Sequence, residues 1–313
     1  MDVRQLETLV AVADHGSFSA AARSLYTVQS NVSAHIARLE RDLGVQLVDR
    51  DRGGLTDDGV EVVARARRIL HDLDGIAAEM ASRGDATRGD VRLGLIGTTA
   101  RWVLPGLLGA LRERFPGIHP LVHEGNTTNL LPQLLASHLD AAIVHLPIDE
   151  TDLVVEPLFA EDLMLVAPSG HPLARHENLT VSMLDGVPLI IPPAGTAFRR
   201  VLDRAAAGAG ISLVPAAEID GVRLMASLAY DGFGATIVPA TALPRWLTGD
   251  FVGIQVADLP RRAVVWAQRR RPAPSAATRA TLTVIRDLLA VMAPAQPGVH
   301  VGPAAFPLAR SGG

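Results

Sequence analysis

The apolar pattern of this chain changes near residue 90, and this change constrains the fold more than any other feature. Before it, apolar residues recur at helical spacing, ending in one uninterrupted helix from about Thr56 to Met80. After it, apolar strands alternate with helices, starting with VRLGLIG at Val91, which predicts βαβ units on a mainly parallel sheet. The polar, glycine-containing stretch between them, residues 81–90, is typical of a hinge. We therefore expect two or three folding units within the 313 residues.

Two residue types are absent, and their absence excludes several kinds of chemistry. The chain has 0 Cys, which excludes disulfides, thiolate nucleophiles, iron–sulfur ligation and cysteine redox sensing. All 29 basic residues are arginine, which excludes a Schiff-base lysine and a P-loop lysine. No apolar run is long enough to span a membrane and the opening residues do not form a signal peptide, so we expect a cytoplasmic protein.

The segment from Ser17 to Glu40 predicts two short helices joined by a tight turn. In the second helix, Val32, Ile36 and Leu39 fall in one narrow sector, and small or polar residues occupy the other side. Short side chains let a helix approach the floor of the DNA major groove, where amide and hydroxyl groups can bind base edges. The candidates for DNA contact are Gln29, Ser30, Asn31, Ser33 and Arg38. The alternative is an amphipathic helix pair with a solvated polar face.

The residues after Gly44, VQLVDRDRGGLT, predict a strand, a turn and a second strand. Arg50 and Arg52 lie at the tip of this hairpin, beside two glycines. A basic hairpin tip beside a helix pair is typical of a wing that contacts phosphates or the minor groove. The alternative is an ordinary hairpin.

The residues of this region carry a family resemblance. The pattern AA..L...Q..VS.HI..LE..LG..L..R, which starts at Ala21, resembles the LysR-type transcriptional regulators. The resemblance implies that the helix from Gln29 reads the major groove and that the hairpin tip is the wing. Three positions depart from the family pattern: Val28 replaces a usual Ser or Thr, Ala34 a common arginine, and Val48 a usual phenylalanine.

The long helix predicts a self-pairing surface, because its apolar residues recur in alternating steps of four and three. This predicted seam consists of Val62, Ala66, Ile69, Leu73, Ile76 and Met80. A symmetric operator is read by two copies of one helix about one DNA turn apart, so a pairing helix directly after the wing is mechanically sensible. The alternative is a helix packed against its own effector domain.

Polar residues follow several predicted strands, at the point where each strand gives way to a helix. Ligands of α/β sheets bind at the carboxyl ends of strands, close to helix N-termini. The candidates for effector contact are Thr98, Thr99, Asn126, Thr127, Thr128, Gly195 and Thr196. Helix capping alone could explain each threonine, so only their convergence predicts a site, and it favours a small anion. His145 could line the same crevice, whereas Arg261, Arg262 and residues 269–271 predict a solvated surface.

Together these features predict an α+β multidomain protein. Its parts are an N-terminal winged helix-turn-helix (1–58), a dimerising linker helix and hinge (59–90), an effector domain (91–293) and a disordered tail (294–313). The resemblance implies that the effector domain is an α/β two-lobed, periplasmic-binding-protein-like fold of type II. We place lobe I at about 91–160 and 266–293, and lobe II at about 161–265.

The predicted function is sequence-specific DNA binding and transcriptional regulation of the LysR type, controlled by a small metabolite between the lobes. We expect no enzyme activity, no cofactor and no metal. The expected partners are double-stranded DNA, the effector, further copies of the chain in a dimer or tetramer, and RNA polymerase, but no membrane. The alternative is a solute-binding receptor or ligand carrier without DNA-binding activity.

Overall fold

The computed structural model describes residues 1–49, 54–81, 87–302 and 305–306, and between residues 71 and 81 it describes the side chains of residues 73 and 76 alone. The first helices are α1 (Val3–His15), α2 (Phe18–Ser24), α3 (Gln29–Leu43) and α4 (Asp57–Ala81). Between α3 and α4, Val48 and Leu55 form an antiparallel bridge. The described part of the first 81 residues is therefore helical apart from this short bridge, as its pattern predicts.

Local sequence explains where α1 and α2 begin and where α3 ends. Asp2 and Gln5 form a capping box at the start of α1, with the Gln5 backbone N–H donating to Asp2 Oδ1 at 2.9 Å. Ser17 Oγ accepts from the Ala20 backbone N–H at 3.2 Å and caps α2. Gly44 ends α3 in the left-handed conformation, with φ 74°. The turn between α2 and α3 is held by buried residues of both helices, which pack in one core with α1.

The start of α4 belongs to the N-terminal domain. Thr56 Oγ1 accepts from the Gly59 backbone N–H at 3.0 Å and so caps the helix. A Cβ on Gly59 would lie 2.0 Å from the Leu47 carbonyl oxygen, so only glycine allows the helix to approach this closely. Farther along, Val63 and Ala66 are buried in the core formed by α1, α2 and α3. The first turns of α4 are thereby fixed to the helices that precede them.

The remainder of the chain forms two lobes, each built on a six-stranded sheet. Its first part contains β1 (Arg88–Ile96), α5 (Gly97–Arg114), β2 (Gly117–Gly125), α6 (Thr127–Leu135), β3 (Ala141–His145) and β4 (Leu153–Glu161). Next come β5 (Leu163–Pro168), β6 (Asn178–Leu179), β7 (Pro188–Ile191), α7 (Ala197–Gly208), β8 (Val214–Glu218), α8 (Val222–Tyr230), β9 (Ala235–Pro239) and β10 (Phe251–Val256). The last elements are β11 (Arg262–Arg269), α9 (Ala276–Met292) and β12 (Val299–His300).

The sheets are mixed rather than mainly parallel. Lobe I has the order β12-β4-β11-β3-β1-β2 and lobe II the order β6-β10-β5-β9-β7-β8. In lobe I the βαβ strands β1, β2 and β3 pair in parallel, but β11 is antiparallel to both β3 and β4. The antiparallel pairs arise because the chain leaves lobe I along β4 and returns along β11, so these two strands run in opposite directions.

The predicted lobe boundary near residue 265 falls inside a strand of the structure. β11 begins at Arg262, which pairs with Glu161 of β4, so residues 262–265 belong to the lobe I sheet. The sequence prediction started this strand at the apolar run AVVWAQ, because a charged residue at a strand end carries no apolar signal. Glu161, Asp162, Arg261 and Arg262 thus mark the two points where the chain crosses between the lobes.

The predicted disorder of the C-terminal tail is wrong for residues 294–302. Val299 is buried in the lobe I core, and its strand pairs with β4. Gln296 is buried and donates from Nε2 to the Leu243 carbonyl at 2.9 Å, while the Asp162 backbone N–H donates to the Gly298 carbonyl at 2.7 Å. Two paired residues are too few for a strand pattern among many prolines and glycines. The rest of the tail, residues 303–304 and 307–313, lies outside the described residues.

Candidate functional site

The helix α3 presents its first turn to solvent. Gln29, Ser30 and Asn31 are all exposed, and Arg38 is exposed two turns farther on, whereas Ser33 is half-buried. On the opposite side, a buried apolar row packs against α1 and α2 and is formed by Val32, Ile36 and Leu39. The predicted DNA-contact residues of α3 therefore lie on or beside a surface that the protomer leaves uncovered.

The beginning of α3 is not capped by a side chain. Val28 occupies the N-cap position with extended backbone and makes no side-chain capping hydrogen bond, so the departure from Ser or Thr at this position removes the usual cap. Nearby, Ser19 Oγ donates to Gln29 Oε1 at 2.8 Å, and Asn31 Nδ2 donates to Thr27 Oγ1 at 3.0 Å. These bonds orient two amide side chains while leaving their remaining polar atoms available.

One residue beside this surface was missed by the sequence analysis. Tyr26 lies in the turn between α2 and α3 with φ 51° and is 98% exposed, a rare state for a large aromatic residue. Its signal in the sequence is weak, because a lone tyrosine in a turn has many explanations. The residue precedes the uncapped end of α3 by three positions and is open to solvent.

The predicted wing is described only at its base. Val48 and Leu55 form the bridge, and the Asp49 backbone N–H donates to the Gly54 carbonyl at 3.0 Å. Val48 is buried in the N-terminal core, as expected of a core position that departs from phenylalanine. Arg50 and Arg52, predicted at the tip, lie outside the described residues.

The predicted seam of α4 divides into two parts. Ala66 is 1% exposed and packs in the N-terminal core, and Val62 packs partly against the same core, so Ala66 is not open to a partner. Ile69 and Leu73 are each 41% exposed and Ile76 is 58% exposed, at steps of four and three residues. The side chain of Met80 lies outside the described residues. Sequence spacing alone could not separate residues that pack within the protomer from those left open.

A cleft of about 640 Å³ separates the two lobes and is lined by most of the predicted effector residues. It contains Thr98, Asn126, Thr127, Thr128, Gly195 and Thr196, whereas Thr99 is fully buried and does not line it. Four helices begin at the cleft wall: α5 and α6 from lobe I, and α7 and α8 from lobe II. Each helix N-terminus carries partial positive charge, so the cleft suits an anion.

The polar side chains of the cleft already bond to their own chain. Asn126 caps α6 and Thr196 caps α7, so the capping explanation holds for both. Thr127 Oγ1 accepts from the His145 backbone N–H at 3.3 Å, and Thr98 Oγ1 accepts from Arg262 Nη2 at 2.8 Å. The residues therefore converge on one cleft and also hold its walls together.

Arg262 corrects the prediction of a solvated arginine surface. Its side chain is 11% exposed and lines the cleft, and its guanidinium forms an ion pair with the fully buried Glu161 at 2.6 Å. Arg269 is also buried and donates to the carbonyls of Leu134 and Leu139. Glu161 and Arg262 are 101 residues apart in the chain, so no local pattern could reveal their pairing.

His145 lies at the end of β3 and lines the cleft. Burial, with a smaller contribution from the positive charge of Arg262, lowers the pKa of His145 from 6.5 to about 4. Its Nδ1 lies 3.1 Å from the Leu146 carbonyl oxygen, which can only accept, so the proton of the neutral ring is on Nδ1. Nε2 is then a hydrogen-bond acceptor near neutral pH.

One ion pair joins the two lobes at the mouth of the cleft. Arg223 at the start of α8 lies 3.1 Å from Glu124 at the end of β2, and both side chains are about half exposed. Within the described residues there is no cluster of three His, Asp or Glu that could hold a metal ion. No helix of the described chain has the length and apolar character needed to cross a bilayer.

An N-terminal helix-turn-helix with an exposed second helix, a long connecting helix and a two-lobed domain with a cleft define the class of the DNA-binding transcriptional regulators. Two family models match the chain: "Bacterial regulatory helix-turn-helix protein, lysR family" over residues 3–60, and "LysR substrate binding domain" over residues 84–290. The chain belongs to the LysR family and is a sequence-specific DNA-binding transcriptional regulator. Membership of this family does not favour the alternative of a solute-binding receptor or ligand carrier that lacks DNA-binding activity.

Individual relatives are similar to this chain over most of its length. It is 34% identical over 294 residues to the "Probable hydrogen peroxide-inducible genes activator" of Mycobacterium leprae, covering 91% of this chain and 93% of that protein. It is 32% identical over 247 residues to the "DNA-binding transcriptional dual regulator OxyR" of Escherichia coli K12, covering 78% and 81%. The structure of a full-length OxyR variant from Pseudomonas aeruginosa superposes with a TM-score of 0.74 at 26% identity, covering 92% and 94%. These relatives are regulators rather than enzymes.

Proposed function

We propose that a small anionic metabolite bound between the lobes controls how this regulator engages DNA. The observation that carries the proposal is the convergence of four helix N-termini on one cleft, two from each lobe. A ligand that contacts both lobes favours one degree of lobe closure over another, and this preference shifts the population of lobe arrangements.

We further propose that α3 is the helix that enters the major groove of DNA. Gln29, Ser30, Asn31 and Ser33 contact base edges in this proposal, and Arg38 contacts phosphate, as do the two wing arginines Arg50 and Arg52. Two copies of the chain pair through the open part of α4, at Ile69, Leu73 and Ile76, and thereby read two half-sites. Two such dimers form a tetramer. Lobe closure then changes how dimers pair and how far apart bound half-sites lie.

Since the target of this regulator is chromosomal DNA, we place the protein in the cytoplasm, and we propose RNA polymerase as a further partner at the regulated promoter. The chain itself has no catalytic task, and its output is a change in transcription.

The relatives named as hydrogen peroxide-inducible activators suggest a different signal, which this chain cannot receive through a thiol. The sequence has 0 Cys, so neither sulfenic acid nor a disulfide can form. We therefore propose that binding of a ligand, rather than oxidation of a thiol, switches this protein. Mild peroxide treatment should leave its affinity for operator DNA unchanged. A peroxide-dependent loss or gain of affinity would contradict this.

Selection of genomic fragments by the full-length protein tests the DNA-binding half. The wild-type chain should enrich sites with two related half-sites, and footprints should cover both. The double variant Gln29→Ala with Ser33→Ala should lose this enrichment, whereas Arg112→Ala, an exposed change on α5 of lobe I, should retain it. Equal enrichment by all three proteins would contradict the assignment of α3 as the reading helix.

A further inference from the structure

Arg262 lies at the start of β11, where the two strands that connect the lobes, β4 and β11, reach the cleft. On β11 it pairs directly with Glu161 of β4, and Val264 two residues later pairs with His145 of β3. Alternate residues of a strand share a face, so the side chains of Arg262 and His145 lie on the same face of the sheet as diagonal neighbours. Both side chains line the cleft.

The hydrogen bonds of Arg262 use only part of its guanidinium. Nε and Nη2 both donate to Glu161 Oε1, at 2.9 and 2.6 Å, and Nη2 also donates to Thr98 Oγ1 at 2.8 Å. The other carboxylate oxygen of Glu161 accepts from the backbone N–H and the hydroxyl of Thr241, at 2.9 and 2.8 Å. Nη1 makes no hydrogen bond to the described residues, so one edge of the guanidinium remains for a ligand.

His145 places a hydrogen-bond acceptor beside this donor. Its Nδ1–H is used by the Leu146 carbonyl, so Nε2 presents a lone pair. A ligand ammonium group is disfavoured here, because the neighbouring Arg262 is already cationic. A neutral hydroxyl donor suits the position better.

We propose that the cleft takes a small hydroxycarboxylate, with Arg262 Nη1 donating to its carboxylate and His145 Nε2 accepting from its hydroxyl. This inference rests on the proposed function, because it assumes that the interlobe cleft is the effector site. Arg262 is then the specificity-determining residue for the acid group. His145 selects the hydroxyl.

The same arrangement links the ligand to the joint between the lobes. A carboxylate on Nη1 competes with Glu161 for the charge of Arg262. Glu161 lies on the crossing strand and is bonded to Thr241 of lobe II, while Thr98 belongs to lobe I. A carboxylate on Nη1 therefore weakens the ion pair between Arg262 and Glu161, which is part of the chain of contacts that joins the two lobes.

Calorimetric titration of the full-length protein with matched trios of small probes tests the inference. One trio is lactate, propionate and lactamide, and a larger one is mandelate, phenylacetate and mandelamide. Within at least one trio the hydroxyacid should bind most tightly and exceed its amide by about ten- to a hundredfold, the value of a charge-assisted hydrogen bond. Equal binding of acid and amide in both trios would overturn the inference.

Three variants assign the two contacts. Arg262→Gln alone leaves Glu161 buried without its cation, so the double variant Arg262→Gln with Glu161→Gln removes both charges together. This protein should bind acid and amide equally. His145→Leu should keep the preference for acid over amide but lose that for hydroxyacid over plain acid. Arg261→Gln is the matched control, because its side chain is 44% exposed and pairs with Asp162 instead, and it should keep both preferences.

Thr128→Val separates failure of this inference from failure of the proposed function. Thr128 lines the same cleft and bonds to neither Arg262 nor His145, so the loss of its hydroxyl should weaken the binding of every probe of a trio without changing their order. If probes bind the cleft in any other order, the inference fails while the effector site stands. If Thr128→Val changes no affinity, or if no probe binds at millimolar concentration, both are overturned.

Discussion

The exposed start of α3 and the interlobe cleft differ in how far their polar side chains are bonded within the chain. On α3, Ser30 is exposed and Val28 provides no cap, so donors and acceptors face solvent. In the cleft, Thr98, Thr127 and Thr196 all bond to their own chain. On α3, only a few local bonds are made and the remaining polar atoms are open to solvent. In the cleft, the threonines are held by their own chain, and the open polar atoms belong to Arg262 and His145.

This difference matches the two tasks of a regulator. A surface that binds DNA in every state gains from groups whose partners are missing until DNA arrives. A sensor must have two states of similar free energy, so that a small ligand can select one of them. In our proposal the ligand carboxylate competes with Glu161 for the charge of Arg262, and this competition separates the two states. Substitutions in both regions test this contrast.

Removing the cation from the buried ion pair should have the largest effect. Arg262→Gln leaves the carboxylate of Glu161 fully buried without its partner, and it should lower the free energy of unfolding by about 3–5 kcal/mol. Urea denaturation measures the change. The double variant with Glu161→Gln should recover most of the loss, because no unpaired charge remains. If the single and double variants are equally unstable, the polar atoms of the cleft are not coupled in the way we describe.

Changes on α3 should affect DNA binding and leave stability nearly unchanged. Gln29→Ala should weaken operator binding by about 1–3 kcal/mol and relax specificity at one base pair. Arg38→Ala should weaken all sequences alike and reduce the salt dependence of binding by about one ion. Competition titrations at several salt concentrations distinguish the two. Loss of stability in either variant would show that α3 is less open than its exposure indicates.

Supplying the missing cap should make α3 resemble the capped helices α6 and α7 of the cleft. Val28→Ser places a hydroxyl at the N-cap position, where it can accept from the first turn, and should stabilise the protein by about 1 kcal/mol. Because Val28 is 59% exposed, little apolar burial is lost. Val28→Ala is the control, since it shortens the side chain without adding an acceptor, and it should give no gain in thermal or urea unfolding.

The smallest effect near neutral pH concerns His145. The folded protein holds its pKa at about 4, below the ordinary 6.5, so the unfolded state binds more protons on acidification. This contribution to stability is complete above about pH 6.5 and is lost as the pH falls from there towards 4. Unfolding curves of wild type and His145→Gln should therefore differ in pH dependence between about pH 7 and 5. Parallel pH profiles would place His145 in a more solvated environment.

The parts of the site that follow strand ends could be predicted from the sequence. Thr98, Asn126 and Thr196 each stand between an apolar strand and a helix, and parallel strands bring their carboxyl ends to one edge. The small outward side of α3 was equally visible, because helical periodicity separates it from Val32 and Ile36. In these cases the signal lies in neighbouring residues of the chain, and the fold then brings the separate segments together.

The features that the sequence could not predict depend on contacts between residues that are distant in the chain. Arg262 resembles any surface arginine until β4 and β11 pair and bring Glu161 beside it. Ala66 has the spacing of a seam, but α4 crosses the N-terminal core at that point. The order of residues 294–302 rests on two paired residues and on Gln296, and such a short signal is hidden by the surrounding prolines.

The strand β12 lies beside β4 at the edge of the lobe I sheet, while Gln296 bonds to carbonyls of lobe II. The connection between the lobes is thus a ribbon three segments wide rather than two. A ribbon bends more easily across its thickness than within its own plane. The third segment therefore stiffens the connection most against sideways displacement of one lobe relative to the other.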